Sequence, residues 1–198
     1  MSTEDTARAV TGQPPSPPFW VRLPVPTGNL VQLAGLVAGA LLIALAAAVR
    51  GSGAPATVLL ILGVLVVYLC CHSIAHWLVG RIVGLRFAYV GVRGTDHPES
   101  YPPGLRQVMA VTPMFTTVST RKSRASVGRW ALAAYYAAGE TSTTVCTLLA
   151  AWAGVKGGVP GSVMILGVVI VWVLLAVITT TIAAKGDYAK ARRALRSG

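Results

Sequence analysis

Acidic side chains are the scarcest polar class in this sequence: six Asp and Glu among 198 residues, against 17 Lys and Arg. Charged residues make up only 12% of the chain and hydrophobic ones 54%. That leaves too little polar surface to cover an ordinary soluble domain. Cysteine is nearly missing as well. Its three copies, Cys70, Cys71 and Cys146, all lie in apolar runs, which excludes a disulfide framework and marks them as packing residues. A cleavable leader is also not expected. The first apolar run is too long for a signal h-region, and the stretch before it is Pro-rich and nearly neutral.

What the chain has instead is long apolar runs. A helix crossing the hydrocarbon core needs roughly 20 apolar residues, and four stretches qualify: 30–49, 55–80, 130–155 and 162–184. The expected fold class is therefore an all-α polytopic membrane protein with four transmembrane helices. Residues 29–198 are expected to form one membrane domain, preceded by a Pro-rich disordered tail over residues 1–28 in which Phe19 and Trp20 are interfacial candidates.

The basic residues are unevenly placed. Eight of the 17 Lys and Arg fall in residues 81–129, and five follow residue 184; the first and third connections hold one each, Arg50 and Lys156. The positive-inside rule then places the 81–129 loop, the basic tail 185–198 and both termini in the cytoplasm, with the chain in the inner membrane. Topology and contact with anionic headgroups account for the excess charge, so no nucleic-acid partner is expected.

The loop over residues 81–129 is too long to be a simple turn. Its segments RFAYVGVRG and QVMAVTPMFTTV carry enough β-branched and aromatic residues for short strands or an edge hairpin. A connector lying along the membrane surface is the alternative, and a loop of this length in so small a protein commonly carries function or covers a site.

Ionisable groups at membrane depth require partners. His72 and His76 are four residues apart, so on a helix they leave the same face one turn from each other, as two imidazoles binding one metal must; packing or hydrogen-bonding histidines are the alternative. At 1.5 Å per residue His72 lies about 13 Å beyond Arg81, and Glu140 of the third run about 16 Å beyond Arg129. Those depths match. Glu140 is open to several roles: ligand, hydrogen-bond acceptor for an imidazole, substitute base, or a protonated side chain bonded to neighbouring Ser and Thr. Asp187, after the fourth run, is on the appropriate side. Gly186 before it offers a break through which the chain can turn back, although Asp187 also suits the cap of a basic amphipathic helix.

The stretch His72-Ser-Ile-Ala-His76, followed by Gly80-Arg81 and Gly84, resembles the HExxH-xxx-A-R-xx-G segment of the site-2 protease family of intramembrane zinc metalloproteases. AAGETSTTVCTLLA is similar to that family's AGPxxN segment, and KGDYAKARRAL to its final Asp motif. The three matches follow in the family's order over residues 72 to about 195. The resemblance implies a three-helix core in which zinc is held by His72, His76 and Asp187, and a substrate that is itself a transmembrane segment. It also exposes departures. Ser73 stands where the family has its general base, and an unactivated hydroxyl is no base near neutral pH. Glu140 stands where the family has the Pro of AGP, Thr143 or Thr144 near its Asn, and no NPxP-like helix break precedes Asp187.

The expectation is a catalytically degenerate relative, a pseudoprotease that binds zinc and captures a transmembrane partner. The small and hydroxylated residues from Gly139 to Thr144 suit such helix–helix contact. One competing reading is an active intramembrane metalloprotease with Glu140 as substitute base. Another is an accessory subunit of a larger membrane complex whose histidines contact a pigment or haem.

Overall fold

The computed structural model describes residues 18–95 and 98–196. A short strand β1 (Val21–Leu23) leads into helix α1 (Val25–Ala48), which returns through a 3-10 turn at Arg50–Ser52 to α2 (Ala54–Ile82). Then come β2 (Phe87–Arg93), α3 (Leu105–Val111), β3 (Met114–Ser119) and α4 (Arg121–Ala125). The chain closes with α5 (Arg129–Lys156), α6 (Ser162–Ile182) and α7 (Asp187–Arg196).

Helix boundaries follow local chemistry. Proline opens both α1 and α2 within their first two positions, where its missing N–H costs nothing. The end of α2 is a Schellman motif: Leu85 N–H bonds Gly80 C=O at 2.7 Å and Gly84 N–H bonds Arg81 C=O at 3.2 Å, with Gly84 at φ +91°. The glycine and arginine register after the histidines thus has a local structural reason. Gly80 is also a contact point, since a Cβ there would run into the Phe87 ring.

Three helical segments are long and apolar enough to cross a membrane: Val25–Ala48, Ala54–Ile82 and Ser162–Arg196. The third expected span, 130–155, is helical as α5 but falls short of that apolarity, because Glu140 and the hydroxyls of residues 141–144 and 147 interrupt it. α1, α2, α5 and α6 share an apolar core around Leu60, Ala46, Ala56 and Ala151. Backbones approach closely where Gly39 of α1 faces Gly63 of α2; a Cβ on either would press on the other's carbonyl oxygen.

An all-α fold is not what the chain adopts. β1, β2 and β3 form an antiparallel sheet in the order β1-β2-β3, with Val21 opposite Val92 and Gly91 opposite Thr116. The segment RFAYVGVRG does form a strand. In the second segment only MFTTVS does, and Gln107 to Val111 lie in α3, capped in part by the Gln107 side chain on Gly104 N–H.

Within the stretch expected as a disordered tail, Val21–Leu23 form β1 and α1 begins at Val25. Of that stretch, residues 1–17, including most of PPSPP, lie outside the described residues. Phe19 does not simply face the bilayer surface, because it packs edge-on to Tyr89 with Arg93 over its ring. Trp20 is half exposed. In the expected basic C-terminal tail, Asp187–Arg196 form α7, which lays Ala191 and Ala194 against Ala133 of α5. The alanines give α7 a smooth face that can reach α5 closely.

Candidate metal centre

α2 carries both histidines on the face turned toward α5, their ring centroids 4.9 Å apart. The chain reaches them again from the far end. α6 stops at Ile182, residues 183–186 turn, and α7 begins at Asp187. Gly186 makes this break possible, as a Cβ there would strike the Thr180 carbonyl. No proline precedes Asp187 in this turn, yet α6 is interrupted ahead of it all the same. Tyr188 Oη then meets Thr141 Oγ1 at 3.1 Å and fixes the first turn of α7 on α5.

The result brings His72, His76 and Asp187 together. Asp187 Oδ2 lies 3.1 Å from His72 Nε2 and 3.0 Å from His76 Nε2. One ligand atom from each of the three falls within 4.8 Å of the other two. Asp187 Oδ1 points away and accepts from Lys190 Nζ at 3.1 Å, one turn along α7.

The hydrogen bonds behind the rings decide what the three groups present to each other. His76 Nδ1 is 2.7 Å from the Tyr135 carbonyl, which can only accept, so Nδ1 carries the proton. His72 Nδ1 is 3.1 Å from Thr143 Oγ1. Thr143 donates its own proton to Gly139 C=O at 3.0 Å, so here too Nδ1 is the donor. In the neutral imidazoles both Nε2 atoms are then lone pairs aimed at a carboxylate oxygen. Three acceptors converging on one point repel unless a cation lies among them or the rings are protonated. Imidazole N–H groups held by a carbonyl and a hydroxyl, with free nitrogens converging, are the usual surroundings of metal-bound histidine. The donor set therefore fits a metal ion, with N and O ligands of the kind zinc takes. α5 keeps the space open with Gly139, where a Cβ would overlap the Nε2 atoms of both rings.

A cavity of about 170 Å³ opens beside the cluster, lined by His72, His76, Asp187, Glu140, Tyr68 and Arg93, among others. Glu140 is buried and shares this cavity, one residue beyond Gly139. Tyr101, in the connection between β2 and β3, closes another side; burial pushes its phenol above its ordinary pKa and keeps it a neutral hydroxyl.

Ser73 faces elsewhere. It is fully buried and its hydroxyl meets Thr117 Oγ1 of β3. Thr117 donates to the Ser73 carbonyl at 2.9 Å, so the shared proton between the two hydroxyls must come from Ser73. The Ser73 side chain is a clamp between α2 and β3. Part of the hydroxyl run on α5 is likewise occupied within the chain, with Ser142 donating to Cys71 C=O at 3.2 Å and Thr143 serving His72, while the Thr144 and Thr147 hydroxyls are buried without a hydrogen-bond partner.

Sequence reasoning did not find Tyr135, Lys190 or Thr117. Tyr135 contributes a backbone carbonyl, which has no residue signature. Lys190 was legible as the i+3 partner of Asp187 on a helix, and Thr117 as a polar residue in an apolar strand. No family model, curated protein or solved structure matches the chain.

Proposed function

We propose that this chain is a four-span membrane protein of the site-2 protease type that has kept a metal site and lost the base that made it cut. The observation that carries this reading is the convergence of two imidazole lone pairs and one carboxylate oxygen on a single point, each imidazole fixed through its other nitrogen. Zinc is the metal the donor set suits best, held by His72, His76 and Asp187, and it would supply Lewis-acid polarisation toward the cavity.

The chain's own residues argue for holding over cutting. Ser73 spends its proton on Thr117 and cannot take one from water. The cavity is shaped by α5, by β3 and by the break between α6 and α7, and a transmembrane segment of a partner protein is the occupant we assign to its mouth. In this reading α5 is the fourth span, its polar face turned inward, and the long connection and both termini lie in the cytoplasm of the inner membrane. That orientation follows from the basic residues gathered at one end of the helices.

One observation favours a second reading. Glu140 is a buried carboxylate on the same cavity as the histidines, the position a substitute base would need. A haem or pigment site is disfavoured by size, since ligand pockets usually enclose about 300–1,000 Å³ and this cavity is near 170 Å³.

A transmembrane cleavage reporter separates holding from cutting. The wild type is expected to leave the reporter intact. Robust wild-type cleavage abolished by Glu140→Gln would establish the active enzyme in place of the pseudoprotease.

A further inference from the structure

α7 has two ends with different surroundings. Its first residue, Asp187, sits at the histidines. Its last two turns lie against the start of α5, where Ala194 and Leu195 pack on Leu132 and Ala133. Nine residues at 1.5 Å each separate Asp187 from Arg196, about 13 Å, so α7 spans the distance from the metal centre to the end of the helical layer.

At that end basic side chains collect. Arg192 and Arg196 flank the packed alanines and are exposed. Arg129, on the neighbouring turn of α5, is exposed beside Trp130, itself 70% exposed. Arg121, Lys122 and Arg124 of α4 are exposed as well, three residues before α5 begins. α4 is tied to the same end of the layer through Arg86 N–H, which donates to Ser123 Oγ at 3.1 Å. Among the described residues the acids are Glu99, Glu140 and Asp187; the last two are turned into the cavity, and Glu99 lies in the β2–α3 connection beside Arg106. Among the described residues the rim therefore carries one sign of charge, with no Asp or Glu on it.

We infer that this rim is a binding surface for anionic phospholipid headgroups, and that their binding seats α7 so that Asp187 meets the histidines. A general excess of cytoplasmic charge would not require cations on the helix that carries a ligand, nor on the turn of α5 against which that helix's end packs. Arg193 reinforces the link by donating to the Ala184 carbonyl in the turn ahead of Asp187. A shift of α7 at its charged end is thus transmitted to the break. The seating half of the inference rests on the metal-site reading; the lipid half does not.

The test uses the full chain in phosphatidylcholine vesicles with and without phosphatidylglycerol. Brominated phosphatidylglycerol and brominated phosphatidylcholine are compared as quenchers of the Trp130 fluorescence, isolated by difference from Trp130→Phe. Each basic group near an anionic surface contributes about fivefold to association. Removing three, in Arg121→Gln with Arg192→Gln and Arg196→Gln, should therefore cut the preference for the anionic quencher by on the order of a hundredfold. The triple Lys variant should retain it. Equal quenching by the two lipids in wild type overturns the lipid site.

Zinc titration of the same vesicles tests the seating. Affinity about tenfold tighter with phosphatidylglycerol, and the same in both lipids for the triple Gln variant, supports it. Wild-type affinity indifferent to lipid overturns it. Absence of zinc binding in every vesicle defeats the metal reading and the seating together, while the quenching still decides the lipid site.

Discussion

Replacing Gly139 by alanine separates a metal site from a merely packed histidine pair. A Cβ at this position would lie 2.6 Å from His76 Cδ2 and 2.8 Å from His72 Nε2, where ordinary contact begins near 3.4 Å. Each ring must therefore retreat by the better part of an ångström. Metal–ligand distances tolerate only about 0.2 Å, so the three donors can no longer close on one ion. Changes to the groups that merely orient ligands already cost about 10- to 100-fold in affinity. Moving two ligands at once should cost on the order of a hundredfold to a thousandfold.

The fold should hardly notice. Alanine is preferred over glycine in a helix interior by about 1 kcal/mol, which offsets part of the repacking cost. Zinc competition against a chromophoric chelator, with a thermal melt of the metal-free protein, reads both quantities. Tight zinc binding by Gly139→Ala would refute the reasoning, because the ion would then be held by some other geometry. Loss of zinc accompanied by collapse of the melt would equally remove the argument that Gly139 serves the site.

Thr143→Val keeps the shape of the residue but removes the acceptor for His72 Nδ1–H, and zinc affinity in the same competition assay should fall about 10- to 100-fold. Ser73→Ala removes one buried hydroxyl bond to Thr117, which keeps its own bond to the Ser73 carbonyl. Stability should drop by about 1 kcal/mol with metal affinity unchanged, measured by denaturation and by zinc titration. Gly84→Ala forces a side chain into the left-handed region at φ +91°, a penalty of about 1–2 kcal/mol. The melting temperature should fall by several degrees, and an unchanged melt would show that the Schellman turn contributes little to holding α2.

Much of the architecture was written in hydropathy. The helices begin and end close to the apolar runs because glycine and proline punctuate them, as Pro55 and Gly84 do for α2. The sheet was only half legible: FAYVGVR has the alternation of a strand, whereas QVMAV has apolar residues that suit either a strand or one turn of helix. Tertiary placement settled it in favour of α3. α5 was read as an apolar run, but Glu140 and its hydroxyl neighbours make it a helix with a polar face turned inward.

The histidine spacing marked two of the three converging side chains directly. Asp187 was a candidate from its side of the membrane and became a ligand only through the resemblance; its place beside the histidines depends on Gly186, whose lack of a Cβ permits the break before α7. The direction of Ser73 could not be read from sequence. A residue next to a ligand on a helix points about 100° away from it, and whether that direction holds substrate or a strand depends on where β3 lies.

Metal stoichiometry on the detergent-purified full chain decides between a metal centre and a packed histidine pair. About one zinc per chain is expected in the wild type, and none when His72→Ala and His76→Ala are combined or when Asp187→Ala is made alone. Wild-type protein free of metal after purification without chelators and with zinc supplied, or zinc retained in full by Asp187→Ala, would contradict the metal centre.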